Sequence, residues 1–263
     1  MKTKTPTLIL ALVAVASFAV ADTAELQVVH NAADPAAATV DIYVNEELTL
    51  DDFAFRQATP FLEVPAGVEL AIGVAPGTSG GPEDIIATIP VTLEEHRRYV
   101  AVANGVLDPE AFAANPDGRE IGFTLFAEDG IRTATFPGLV KLKTLHGASD
   151  APAVDVKART RWGDLTLWHG LAYGDFGRYR TVLATDYDLV VTPAGSDAVV
   201  AGFDADLSGL SGGAAVVIAS GFLDPSANQG GPGFALIAVL PDGTVVELPM
   251  TDAVARVQVV HNS

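Results

Sequence analysis

An internal repeat constrains this chain more than any single motif, because a unit made twice in one chain has to bury its apolar residues within one repeat length or against its own copy. The segment VVHNAADPAAATVDIYV, Val28 to Val44, returns as TLHGASDAPAVDVKA, Thr144 to Ala158, and VQVVHNS opens again at Val257. His30, His146 and His261 stand 116 and 115 residues apart. Later anchors keep nearly the same offset: NGVLDP from Asn104 matches SGFLDP from Ser220, VAPG from Val74 matches VTPAG from Val191, and EDG from Glu128 matches PDG from Pro241. The order and spacing together divide the chain into a unit at 22–137 and a second at 138–250. Residues 251–263 then read as the first strand of a possible truncated third copy; the other option is that this last strand completes an earlier sheet.

Within each copy the signal is short strands. LQVVH, TVDIYV, VELAIGV, IIATIPV, RYVAVAN and IGFTLFA are rich in Val, Ile and aromatics and are separated by Pro, Gly, Asn or Asp. In TVDIYV, Val40, Ile42 and Val44 fall on one face at period two. The second copy gives KLKTLH, AVDVKA, YDLVVTP, AVVAGF, AAVVIAS and FALIAVL in the same order. Nothing comparable runs at 3.6 residues, so helices are expected to be minor. About seven strands per ~115 residues predicts an all-β chain of two tandem antiparallel β-sandwich domains, immunoglobulin-like or transthyretin-like. A single large barrel across both copies is the alternative, but each copy is long enough to bury its own core.

Residues 1–21 read as a signal peptide. Lys2 and Lys4 precede an apolar run from Leu8 to Val20 that ends in Ala19-Val20-Ala21, a small-x-small cleavage site. The run is shorter than the roughly 20 residues needed to span a bilayer. A secreted, periplasmic or cell-surface location follows, with no transmembrane segment after cleavage. The 263 residues carry 15 Lys+Arg against 33 Asp+Glu, a formal charge of −18 that becomes −20 once the acid-free leader is removed. Such a surface repels a phosphate backbone, which argues against nucleic acid as a partner. It also suits a protein that stays hydrated in a salty medium. With no Cys, disulfides, thiolate metal sites and cysteine nucleophiles are excluded.

The opening H-x-x-x-D motif followed by VDIYVN or VDVKA, the TPFLEVPAG segment and the NGVLDP turn resemble the DUF4397 domain, a family of bacterial exported proteins usually found in tandem copies. The resemblance covers nearly the whole mature chain, and the second copy departs from it by losing the YVN end of its second strand. It implies β-sandwich modules at the cell surface or outside it, and brings no catalytic activity.

Several residue groups are candidates for chemistry. His30 with Asp34 and Asp41, and His146 with Asp150 and Asp155, set an imidazole and two carboxylates near one strand corner in each copy, where they could hold a cation. The favoured reading is structural, with His ending a strand and Asp bonding turn N–H groups. Asp108 and Asp224, each before Pro, are expected to shape rigid loops. Asp204, Asp206 and Ser208 alternate oxygen ligands before a glycine, but the EF-hand position twelve is Ala215, which leaves only a weak Ca²⁺ candidate. Gly209-Leu-Ser211-Gly-Gly213 fits G-x-S-x-G but precedes a strand, not a helix. Trp162, Trp168, Tyr173, Arg178 and Tyr179 cluster with His169 and further arginines, and could stack on sugar rings or anchor a protein; the competing reading puts Trp168 and Tyr173 in the core.

These readings favour a non-catalytic secreted or cell-surface module, acting as an adhesive, binding or spacer unit toward an extracellular glycan or protein. The alternative is a secreted carbohydrate-active enzyme or a Ca²⁺-dependent glycan binder. No acid pair stands out as a glycosidase dyad, and no cofactor is implied beyond Ca²⁺.

Overall fold

The computed structural model describes residues 22–161 and 163–251. The expected leader, Trp162, His261 and all of the expected third copy beyond Thr251 lie outside the described residues. The described chain is all-β, with short 3-10 turns and no α-helix among the described residues.

The first half contributes β1 (Thr23–His30), β2 (Thr39–Val44), β3 (Glu47–Ala54), β4 (Leu62–Pro65), β5 (Glu69–Pro76), β6 (Ala87–Thr92), β7 (Arg98–Asn104) and β8 (Thr124–Glu128). The second half contributes β9 (Leu139–His146), β10 (Val154–Thr160), β11 (Gly163–Leu171), β12 (Phe176–Leu183), β13 (Asp186–Pro193), β14 (Ala201–Asp206), β15 (Ala214–Ser220), β16 (Ala235–Val239), β17 (Val245–Glu247) and β18 (Met250–Thr251). Each half is a two-sheet sandwich. The sheets run β4-β1-β7-β8 and β3-β2-β5-β6 in the first, and β12-β9-β15-β16-β17 and β11-β10-β13-β14-β18 in the second. The order is the same in both apart from the two short strands added to the second.

Two expectations need correction. The sheets are not purely antiparallel, because β1 lies parallel to β7, from Glu25 opposite Arg98 to His30 opposite Ala103. The second half repeats this with β9 against β15, from Lys141 opposite Ala214 to His146 opposite Ala219. The two halves also do not stop at private cores. Val29 of β1 and Val100 and Val102 of β7 share one buried cluster with Leu145 of β9, Val216 and Ile218 of β15, and Ile237 and Val239 of β16. Their strand neighbours face the other way, into the interior of each sandwich: Leu26 and Ala101 in the first half, Leu142, Ala215, Leu236 and Ala238 in the second. The molecule is therefore four stacked sheets with three apolar layers, and the central strands of its two middle sheets, β1, β7, β9, β15 and β16, are covered on both faces. Burying an aliphatic side chain contributes roughly 1.5–3 kcal/mol. The seam cluster is therefore a large share of the apolar burial that the two halves have in common, set against the conformational entropy that folding removes.

Polar clasps fix the register of the seam. Buried Asn104 accepts from Asn31 Nδ2, while its own Nδ2 donates to Gly147 O at 3.0 Å and to the Tyr173 hydroxyl at 2.9 Å, both in the other half. A side chain at Gly147 would collide with both asparagines, so the pair requires glycine there. On the opposite flank Arg56 donates to Ser220 Oγ at 3.0 Å and Gly233 O at 2.8 Å, and pairs with Glu247 at 2.8 Å. Buried Gln27 spans both halves, donating to Thr59 O at 2.9 Å and Leu240 O at 2.8 Å.

Candidate functional site

The repeated histidines close their strands inside the protein. His30 and His146 are fully buried, with Nε2 facing Ala37 O at 2.7 Å and Pro152 O at 3.0 Å. A carbonyl only accepts, so Nε2 carries the proton and each ring is the neutral Nε2–H tautomer. His30 Nδ1 accepts weakly from Ala32 N at 3.4 Å, whereas the buried His146 Nδ1 has no hydrogen-bond partner among the described residues. Burial pushes both imidazoles below their ordinary pKa of 6.5, outweighing the carbonyls that favour the protonated form. The Phe55 ring lies edge-on to His30 at 6.2 Å, and the Tyr173 ring edge-on to His146 at 6.4 Å.

The motif carboxylates bind backbone. Asp34 accepts from Ala36 N and Leu107 N, both at 2.8 Å, and Asp150 accepts from Leu223 N, Asp224 N and Asn228 Nδ2, all at 2.8 Å. Each therefore ties the loop after its histidine to the loop after the parallel strand. Asp41 accepts from Asp52 N at 2.9 Å and from Ser79 Oγ. Asp155 accepts from Gly170 N at 2.8 Å and Gly195 N at 3.2 Å, with His169 Nδ1 2.7 Å away. Burial raises the Asp155 pKa, but the two N–H groups and His169 outweigh it and hold the carboxyl below its ordinary value. Asp108 precedes the 3-10 turn Pro109–Ala111 without capping it by its side chain. Asp224 caps Pro225–Ala227 through Ser226 N and Ala227 N. No histidine of the motif meets a motif carboxylate, so the six residues do not form two metal centres.

Asp204 and Asp206 stand exposed on β14, opposite Asp188 and Asp186 of β13, and Asp206 accepts from Ser208 N at 2.8 Å. This is a strand end running into a turn, not a chelating loop. Two groups elsewhere bring three ligand atoms together: those of Asp41, Asp51 and Asp52, and those of Asp22, Glu95 and His96, lie within 4.8 Å of one another. Ser211 accepts from Gly138 N at 2.8 Å in the loop leading to β15, which leaves G-x-S-x-G as a structural turn.

The aromatic cluster divides. Trp168 and Tyr173 are buried, at 4% and 2% exposure, so neither offers an exposed stacking face. The Trp168 indole N–H donates to Arg178 O at 2.7 Å, and burial raises the Tyr173 hydroxyl to a pKa of about 12 against a smaller opposing effect of Asn104. Trp168, Tyr173, Arg178 and Tyr179 lie on the two strands β11 and β12 and the bend between them, and Gly177 lets Trp168 lie against β12 where any side chain would strike it. Tyr179 is half-buried, accepts from Arg132 N at 2.8 Å, and has Lys143 Nζ 5.2 Å from its ring centre. Arg178 is exposed.

The bend between β11 and β12 instead forms an open groove of about 710 Å³, lined by Glu128, Trp168, His169, Asp175, Phe176, Arg178 and Arg180. Its acids are paired. Glu128 binds Lys143, and Asp175 lies 3.3 Å from Arg119 of the other half. His169, Arg178 and Arg180 supply cationic or hydrogen-bonding groups on exposed positions. The groove's composition was visible in the sequence as an aromatic and arginine cluster. The role of Asp175 was not, because its partner lies 56 residues away.

No curated protein matches the chain. The family model described as "Domain of unknown function (DUF4397)" matches residues 24–157, from β1 into β10, and the chain belongs to that family.

Proposed function

We propose that the chain is a non-catalytic, exported binding module. It acts as one rigid body of two family copies and presents the β11–β12 groove to an extracellular glycan or protein. The observation that carries this reading is the state of the groove's carboxylates. A glycosidase needs one carboxyl kept protonated and a second left free as base or nucleophile. Glu128 and Asp175 are each neutralised by a cation, and Asp155 beneath His169 is locked onto backbone N–H groups. Arg178, Arg180 and His169 remain to meet hydroxyl or carboxylate groups of a ligand. The sequence of the leader supports export, and the duplicated histidine corners, occupied by backbone contacts, support a structural role for the repeated motif.

A glycan array followed by titration of the best hit tests the reading. Arg178→Ala and His169→Ala are each expected to weaken binding at least tenfold while the melting temperature holds. Binding unchanged in both variants removes the groove from the function, and turnover of any glycan removes the non-catalytic reading. Repeating the titration in EDTA separates the Ca²⁺-dependent alternative. N-terminal sequencing of protein collected outside the cell is expected to begin at Asp22.

A further inference from the structure

The second sandwich holds a partly open, largely apolar cavity of about 370 Å³ between its two sheets, walled by Leu142, Leu167, Leu189, Val217, Ala238 and Leu248. The duplication shows where it comes from. In the first half Leu26 of β1 lies beside Tyr99 of β7, and in the second Leu142 of β9 lies beside Ala215 of β15. Both leucines stand four residues before the motif histidine, so Tyr99 and Ala215 occupy the same place in the two copies. The Tyr99 ring packs with Leu26, Leu93 and Ala101 between the sheets, and its hydroxyl accepts from Glu94 N at 3.1 Å. The second copy puts a methyl group at that position, and Ala215 lines the cavity. An unfilled apolar space leaves its wall atoms without partners, and water gains nothing by entering it.

The surroundings select among apolar ligands. Among the described residues no Lys, Arg or His lines the cavity to meet an anionic head group, and the charged residues that do line it are Asp204 and Asp206. Along β13 and β14 Asp186 stands opposite Asp206 and Asp188 opposite Asp204, so an approaching anion meets a negative field. We propose that the second half is a binding site for an uncharged, apolar small molecule of hydrocarbon or terpenoid type, a site separate from the groove. Scaling from the ~150 Å³ cavity that holds benzene, the occupant has up to about fifteen heavy atoms.

The test uses the purified chain and the neutral fluorophore 1-aminoanthracene, which is within that size, displaced by 1-dodecanol or by dodecanoate, which share a chain length and differ in charge. One saturable site per chain is expected, with dodecanol displacing the probe at least tenfold better than dodecanoate. Ala215→Phe, which restores an aromatic ring as in the first half, and the milder Ala238→Leu are both expected to weaken the probe at least tenfold. Arg178→Ala, in the groove, is expected to leave it unchanged. Non-saturable binding, equal displacement by the two competitors, or wild-type affinity in a folded Ala215→Phe or Ala238→Leu variant would overturn the proposal. The wild-type stoichiometry and competitor order decide it even where a variant does not fold.

Discussion

The two halves of the molecule share a strand order and differ in how their interiors are filled. In the first, the space between the sheets is closed by Tyr99, and its buried residues fall into two small clusters. In the second, one larger cluster carries Trp168 and Phe203, yet the position equivalent to Tyr99 is Ala215 and a cavity remains. The halves thus share one frame of hydrogen bonds, in which His30 and His146, Asp34 and Asp150, and Asp41 and Asp155 do matching work. The packing between the sheets does not match. The seam shows the same asymmetry, with an asparagine pair and a tyrosine on one flank and an arginine fork on the other.

Removing the ring that distinguishes the halves has the largest expected effect. Tyr99→Ala should lower the unfolding free energy by about 3 kcal/mol, the low end for aromatic truncation because the ring is only partly buried. A urea midpoint that does not move would show that Tyr99 does not fill the first half. Asn104→Ala should cost about 2 kcal/mol, because Asn31, Gly147 O and the Tyr173 hydroxyl all lose a buried partner. Ser220→Ala at the matching position should cost about half as much; equal losses in calorimetry would make the two flanks equivalent.

The histidines sharpen the likeness of the halves rather than their difference. Both are held below 6.5, so the unfolded chain binds more protons than the folded one as pH falls past that value, and stability declines toward the folded pKa values. From about pH 6.5 down to those folded-state values each contributes a slope of up to about 1.4 kcal/mol per pH unit. The depressed aspartates act lower, beneath their ordinary 3.8. Melting curves of the His30→Gln, His146→Gln double variant should be flatter across that window than those of the parent; an unchanged slope would place the titration elsewhere. The smallest effect is expected at the exposed end of the arginine fork. Glu247→Gln removes an ion pair whose acid is 58% exposed and should change stability by about 0.5 kcal/mol or less, and by less still in high salt. A loss above 1 kcal/mol would make that pair part of the seam's frame.

Much of this was legible in the residues. Alternation and Gly or Pro punctuation marked β1, β2, β5, β6, β7 and β8 and most of their counterparts. The strands ELTLDDFA and FGRYRTVL were not recognised because they are mostly exposed, so their polar residues dilute the period-two signal. The stacking of the halves had a signal that went unread: AAVVIAS and ALIAV are apolar at nearly every position, as strands covered on both faces are. Trp168 and Tyr173 could not be placed from composition, since the partner that draws Tyr173 inward, Asn104, is 69 residues away. The cavity depends on comparing Tyr99 with Ala215 at one register position, which requires the parallel pairing to be known.

That parallel pairing bears on how the chain assembles. Both inner ladders join residues 73 apart, and such non-local pairing places folding in the slow regime of milliseconds to seconds. Until those ladders close, β1 and β9 each wait with an open edge. Each ends in a motif histidine, and the two hold the same place in their sheets, parallel to β7 and to β15. Exchange of one for the other, within a molecule or between two, is the error this architecture invites. Refolding yield should therefore fall as the chain is concentrated.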